Sequence, residues 1–319
     1  MRFNPRARLD RSRVSDSGAG GRGRGGGAGG GGMRLPIPGG TKAGGGIGAV
    51  LVVILFIVIT QVMDGGGGGL PSSGDSLDTS RVDGGDSGRY ASCQTGADAN
   101  KDADCARVAV ENSLYDYWND TLESQSGVTF RPEKGLATFS GAINTGCGQA
   151  SSQVGPFYCP ADRNIYLDTT FFEDVLQGQL GGPAGDFVEP YVLAHEYGHH
   201  IQNLTGAMGQ VRTQQGPESD SVRLELQADC YAGMWAHAAT TTEDASGVPL
   251  ITDINDQDMA EAVAAAKSVG DDRIQQQSTG RVNPEAWTHG SAEQRQRWFR
   301  TGYQEGSLEA CDTFSASNL

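Results

Sequence analysis

The chain has 319 residues and a formal charge of −15, but neither glycine nor charge is spread evenly along it. Of 48 Gly, 26 fall in residues 1–88, which leaves only the later part with a composition able to build one sizeable core. Residues 1–42 carry a net +7 and residues 64–319 a net −22, and an acidic main domain argues against nucleic acid as its partner.

Residues 1–42 are rich in Arg and Gly and read as a disordered arm, because nothing in them sustains a buried core. Residues 43–63 contain no charge, and their centre reads AVLVVILFIVI. At 1.5 Å per residue such a helix spans about 31 Å, close to the hydrocarbon thickness. The basic region before it is too long for a cleaved signal peptide, and no A-x-A site follows. The expectation is an uncleaved, single-pass transmembrane signal-anchor, with the basic arm cytoplasmic and the acidic bulk outside the cell membrane. Residues 64–89, mostly Gly, Ser and Asp, read as a flexible tether, and residues 90–319 as the folded domain.

All six cysteines, Cys93, Cys105, Cys147, Cys159, Cys230 and Cys311, lie beyond the apolar stretch, and none forms a C-x-x-C pair. An even count on one side of a membrane segment points to disulfides in an oxidising compartment. The sequence does not fix their pairing. Cys93–Cys105, Cys147–Cys159 and Cys230–Cys311 are favoured because the first two close short local loops.

Within the domain, residues 101–123 have apolar residues near helical spacing, including Leu114, Trp118 and Leu122. Short β-like runs follow at residues 128–130, 136–139 and 164–167, then a helix over 168–177 capped by Asp168. Asp186 is the candidate N-cap of the next helix, with Pro190 tolerable in its first turn. Further helices are predicted over residues 219–239 and 257–269. A last helix starts at Ser291, where Ser291-Ala292-Glu293-Gln294 makes a capping box. Helices segregated from a few short strands predict an α+β fold, mostly helical with a small sheet.

The helix after Asp186 carries His195-Glu196-Tyr197-Gly198-His199, a complete H-E-x-x-H motif. Residues four apart share a helix face, so both imidazoles can point at one metal ion, with Glu196 beside them as a base for a bound water. A catalytic zinc needs three protein ligands and an open position. The extended H-E-x-x-H-x-x-G-x-x-H pattern is excluded, because Gln202 and Thr205 occupy its Gly and His positions. The next helix offers Glu225-Leu226-Gln227-Ala228-Asp229, with both carboxylates on one face. Glu225 is the expected third ligand. Asp229 is expected to accept the free N–H of a ligand histidine, which sets its tautomer. His237 and His289 are fallback ligands, and His200 is expected to be structural.

This ligand set suits one Zn²⁺ per domain. Glu196 then serves as general base and returns the proton to the leaving amine of a peptide substrate. His289, in Trp287-Thr288-His289-Gly290, is the candidate donor to the oxyanion, with Tyr231 and Tyr197 weaker ones.

With these residues in place, residues 90–312 resemble the bacterial neutral zinc metallopeptidase family. The resemblance rests on Val154-Gly155-Pro156-Phe157-Tyr158-Cys159-Pro160-Ala161-Asp162, on the motif helix through Gln202, on Glu225 to Cys230, and on Trp287 to Ser291 with Arg297-Trp298-Phe299. It implies zinc, a zincin-like fold with a gluzincin-like pair of catalytic helices, peptide or protein substrates and, in many members, an N-terminal membrane anchor. By analogy with such folds, residues 164–167 are expected to form the sheet edge along which substrate lies. The reading is therefore a membrane-anchored zinc peptidase, with endopeptidase action favoured. Two alternatives differ in class: a non-catalytic surface protein with a structural zinc, and a zinc hydrolase of a non-peptide amide in the cell envelope.

Overall fold

The computed structural model describes residues 1–19, 88–152 and 154–319. In chain order the elements begin with β1 (Arg2–Phe3), β2 (Val14–Ala19), α1 (Gly96–Ala99) and α2 (Ala103–Ser126). Strands β3 (Gly135–Ser140), β4 (Ala142–Thr145), β5 (Gly148–Ser151), β6 (Phe157–Cys159) and β7 (Asn164–Asp168) follow. After a π-helical segment, Phe171–Gln177, come α3 (Val188–Thr205) and α4 (Asp220–Ala238). The chain ends with β8 (Ile251–Asp253), α5 (Asp256–Ser268), α6 (Asp271–Thr279) and α7 (Ala292–Glu305). Helix and sheet are mixed, with helices predominating, as the α+β expectation has it.

Local chemistry sets most helix starts. The Asp102 side chain accepts from the Asp104 amide and that of Ser219 from the Val222 amide. Capping boxes at Asn255/Asp258 and Ser291/Gln294 start α5 and α7. Asp186 does not cap α3, whose N-cap is Phe187. Its carboxylate lies 3.2 Å from the Met1 amino group, which also sits 2.6 Å from Asp258. Asp168 likewise ends a strand, and its Oδ1 accepts from the Thr170 amide ahead of the π-helical segment.

The main sheet has the order β2-β3-β7-β6, with β2, β3 and β7 parallel and β6 antiparallel to β7. Side chains alternate between its faces. Leu136, Tyr158, Ile165 and Leu167 join the helical core, while Phe139, Phe157 and Tyr166 form a smaller cluster with Ala150 of the β4–β5 hairpin. Strand β7 is paired on both sides, so residues 164–167 are not the edge expected from analogy. The edges are β6 and β2.

The first 19 residues are part of this domain, so they are not a free arm, while the rest of that expected arm, residues 20–42, lies outside the described residues. Strand β1 pairs with β8, and β2 adds to β3 in the main sheet. Between them, Leu9 donates to Gln94 O, Gly96 donates to Ala7 O, and the Asn112 side chain brackets Asp10 by bonding both its amide and its carbonyl. Phe3, Ala7, Leu9 and Val14 are buried in the core. The Arg13 guanidinium lies 3.6 Å from the centroid of the Tyr115 ring and 2.9 Å from buried Glu111.

That packing also corrects the localisation. A single-pass anchor puts residues 1–42 and 90–319 on opposite sides of a bilayer, yet Val14 and Leu136 are neighbours in one sheet. Among the described residues no helix is long and apolar enough to cross a membrane. The single-pass topology and the membrane partner that followed from it are not supported. The apolar stretch at 43–63 and nearly all of the tether at 64–89 lie outside the described residues.

The cysteines pair as expected: Cys93–Cys105, Cys147–Cys159 and Cys230–Cys311, leaving none free. The last bridge ties α4, one residue after Asp229, to the C-terminal segment. Helix α4 lies at the centre, between α3 and α7. A Cβ on Gly198 of α3 would come within 3.1 Å of the Ala228 backbone, and one on Gly302 of α7 within 1.8 Å of Cys230 O. Glycine at these two positions permits the close helix contacts from which the site is built.

Candidate metal centre

Helices α3 and α4 bring three side chains to one point. Donor atoms of His195, His199 and Glu225 all lie within 4.8 Å of one another. His195 Nε2 is 3.2 Å from Glu225 Oε2, and His199 Nε2 is 3.5 Å from Glu225 Oε1. Two ligands of a tetrahedral zinc, with bonds of about 2.0–2.1 Å, stand about 3.3–3.5 Å apart. The donor spacing therefore fits such an ion.

The outward ring nitrogens support the same fit. His195 Nδ1 lies 2.9 Å from Asp229 Oδ1, and His199 Nδ1 lies 2.8 Å from Gln202 Oε1. Both partners are acceptors, so Nδ1 is the nitrogen of each ring that keeps its proton, and Nε2 is the one left to face an ion once any proton it holds is displaced.

Asp229 is fully buried and heavily bonded. It accepts from the Tyr191 hydroxyl at 2.6 Å and from Arg295 through both oxygens, at 2.8 and 2.9 Å. Burial alone would raise its pKa, but Arg295 and His195 hold it down to about 2. Burial would likewise push the His195 imidazole down, yet Asp229 and Glu225 carry it up to about 10. Glu225 is held well below the ordinary carboxylate range, against burial, by His199, His289 and His195. A pocket that favours positive charge this strongly suits a cation, and a metal ion has to displace that proton to bind.

Glu196 adjoins the cluster, nearly buried, and its Oε2 accepts the Tyr158 amide of β6 at 2.9 Å. Burial raises its pKa, Glu225 adds to the effect, and the two histidines oppose it. A carboxylate raised in this way is suited to take up a proton.

His289 lines the same cleft as His195, Glu196, His199, Glu225 and Arg295. Asp271 Oδ2 accepts the backbone amides of Thr288, His289 and Gly290, which fixes the loop that carries it. His289 Nδ1 faces Thr288 Oγ1 at 2.8 Å and Asp271 Oδ1 at 3.5 Å. Burial lowers its pKa, but Glu225 and Asp271 bring the net change upward. The rest of the cleft is apolar, walled by Val154, Pro156, Phe171, Val192 and Val269. A larger cavity, about 310 Å³, opens beside Met1, Arg107 and Glu189 but contains none of these groups.

Of the residues named in the sequence, His195, Glu196, His199, Glu225, Asp229 and His289 are brought together. Others named there lie elsewhere. His200 is satisfied by Tyr158 Oη and Arg131 O, and His237 bonds Tyr303 O near the end of α4. The Tyr197 hydroxyl is buried beside Glu133, and Tyr231 packs on Trp118. The sequence reading missed Tyr191, Gln202, Asp271 and Arg295. For Gln202 a signal existed, one turn beyond His199 on the motif face. Arg295 and Asp271 reach the site only through tertiary contacts.

The sequence profile of the family described as "Putative neutral zinc metallopeptidase" matches residues 3–314, a range that includes β2. An uncharacterised protein of Mycobacterium bovis is 54% identical over 229 residues, covering 71% of this chain and 76% of that protein. A Mycobacterium tuberculosis protein matches to the same extent. Uncharacterised protein YpfJ of Escherichia coli K12 is 43% identical over 208 residues, 63% of this chain and 68% of its own. No solved structure matches.

Proposed function

Because this chain belongs to the neutral zinc metallopeptidase family, we propose that it hydrolyses peptide bonds at the centre formed by His195, His199 and Glu225. The observation that carries the reading is the donor geometry, with two Nε2 atoms 3.2 and 3.5 Å from a carboxylate and both Nδ1 atoms committed to acceptors. A zinc ion held there supplies Lewis acidity and lowers the pKa of its water to about 7.

The chain's own residues do the remainder. Glu196 takes the proton from the attacking water and delivers it to the leaving amine. Its Oε2 is anchored by the Tyr158 amide, so the carboxylate does not swing away. The His289 imidazole, held by Thr288 and Asp271, donates to the oxygen on which negative charge develops. Arg295 keeps Asp229 ionised and in place, and Asp229 keeps His195 in the ligating tautomer. The apolar cleft favours substrates with an apolar side chain beside the scissile bond, set against Val154, Pro156, Phe171 and Val192.

A titration with zinc and a casein-type substrate tests this. One equivalent of zinc per chain is expected, with cleavage stopped by a chelator and restored by zinc while the domain stays folded. The fold is expected to survive metal removal because an extensive core and three disulfides stabilise it. Unfolding on chelation, with no cleavage from a diverse peptide library by the zinc-loaded protein, would instead identify a structural metal site.

A further inference from the structure

Gln202 is buried in α3, one turn beyond His199, and all of its hydrogen-bonding groups point into the seam between the two ligand-bearing helices. Its Oε1 lies 2.8 Å from His199 Nδ1. Its Nε2 donates to Leu224 O at 2.6 Å and to Gln227 Oε1 at 3.2 Å, on either side of Glu225 in α4. Gln227 continues the chain by donating to Cys311 O at 3.2 Å, next to the Cys230–Cys311 bridge.

These bonds leave the amide only one orientation. A carbonyl at 2.6 Å demands a donor, so the atom beside Leu224 O is nitrogen and the atom beside His199 is oxygen. His199 Nδ1 must then carry the proton, and Nε2 is left to ligate. Asp229 does the same for His195 through a carboxylate. A carboxylate at 202 could not also donate to Leu224 O. A shorter Asn would not span both contacts.

We propose that Gln202 is a positioning residue of the metal centre. It sets the His199 tautomer and ties the helix carrying both histidines to the backbone flanking Glu225, so the three donors are spaced before the ion arrives. This rests on the reading of His195, His199 and Glu225 as the ligands.

Zinc affinity of folded protein, measured by competition with a chromophoric chelator, tests it. Gln202→Leu is expected to weaken zinc binding about 10–100-fold, and Gln202→Glu, which retains an oxygen for the His199 N–H but loses the bond to Leu224 O, to recover only part of that loss. Long-range proton–nitrogen correlation spectra of the metal-free wild type provide a readout that does not depend on either variant folding. They should show the His199 proton on Nδ1. An Nε2–H tautomer, or wild-type affinity in Gln202→Leu, overturns the proposal while leaving the ligand reading intact. Failure of the wild type to bind zinc overturns both.

Discussion

Glu196→Gln is expected to slow peptide hydrolysis by about 10²- to 10⁴-fold while zinc still binds at one equivalent. The size follows from the role: among the described residues only this carboxylate combines proximity to the donor cluster with a pKa raised by burial. Glutamine can still accept the Tyr158 amide, so strand β6 and helix α3 keep their contact and the variant should fold normally. The amide cannot take the proton from water, and that single deficit is what the substitution isolates. Paired measurements of kcat/KM and zinc content check it. A variant that cleaves at the wild-type rate would remove Glu196 from the chemistry.

Arg13→Met is expected to destabilise the domain by about 2–3 kcal/mol, because it removes both the hydrogen bond to the buried Glu111 carboxyl and the guanidinium packed on the Tyr115 ring. Glu111 is buried, and so is Glu133, whose carboxyl group faces Glu111 and Tyr197. Burial first, then Glu133, raises the Glu111 carboxyl well above its ordinary range, and Arg13 only partly offsets this. The folded state therefore retains a proton that the unfolded chain releases, and stability should fall as pH rises above the ordinary carboxylate range. Glu133→Gln should flatten that slope, because Glu111 is then matched by Arg13 alone. Urea denaturation across pH 5–8 measures both effects. A change within about 0.5 kcal/mol for Arg13→Met, typical of an exposed residue, would mean that the N-terminal segment does not pack as described.

What was legible in the sequence was local. The H-E-x-x-H and E-x-x-x-D spacings each sit within one helix, so 3.6-residue periodicity alone placed His195 with His199 and Glu225 with Asp229. Ser219 and Ser291 announced their helices through cap chemistry, and two of the three disulfides close loops of 12 residues. What was missed depends on distant partners. Strand β2 pairs with β3 more than 100 residues later, and a segment of scattered Arg, Ser and Asp with one Leu and one Val gives no periodic signal. Asp186 looked like an N-cap because the chain geometry that turns it toward Met1 is not encoded nearby. Helix α6 was overlooked for want of an apolar stripe, since Ile274 is its only buried apolar residue. Arg295 lies in an ordinary amphipathic helix. It meets Asp229, 66 residues away, only because Gly233 and Gly302 let α4 and α7 approach so closely.

The most direct test of the metal centre is an anomalous-scattering map of zinc-loaded crystals. It should place one zinc ion about 2.0–2.2 Å from His195 Nε2, His199 Nε2 and a Glu225 oxygen, with a fourth position open toward Glu196. Zinc located elsewhere, or Glu225 more than about 3 Å from an ion held by the two histidines, would contradict it.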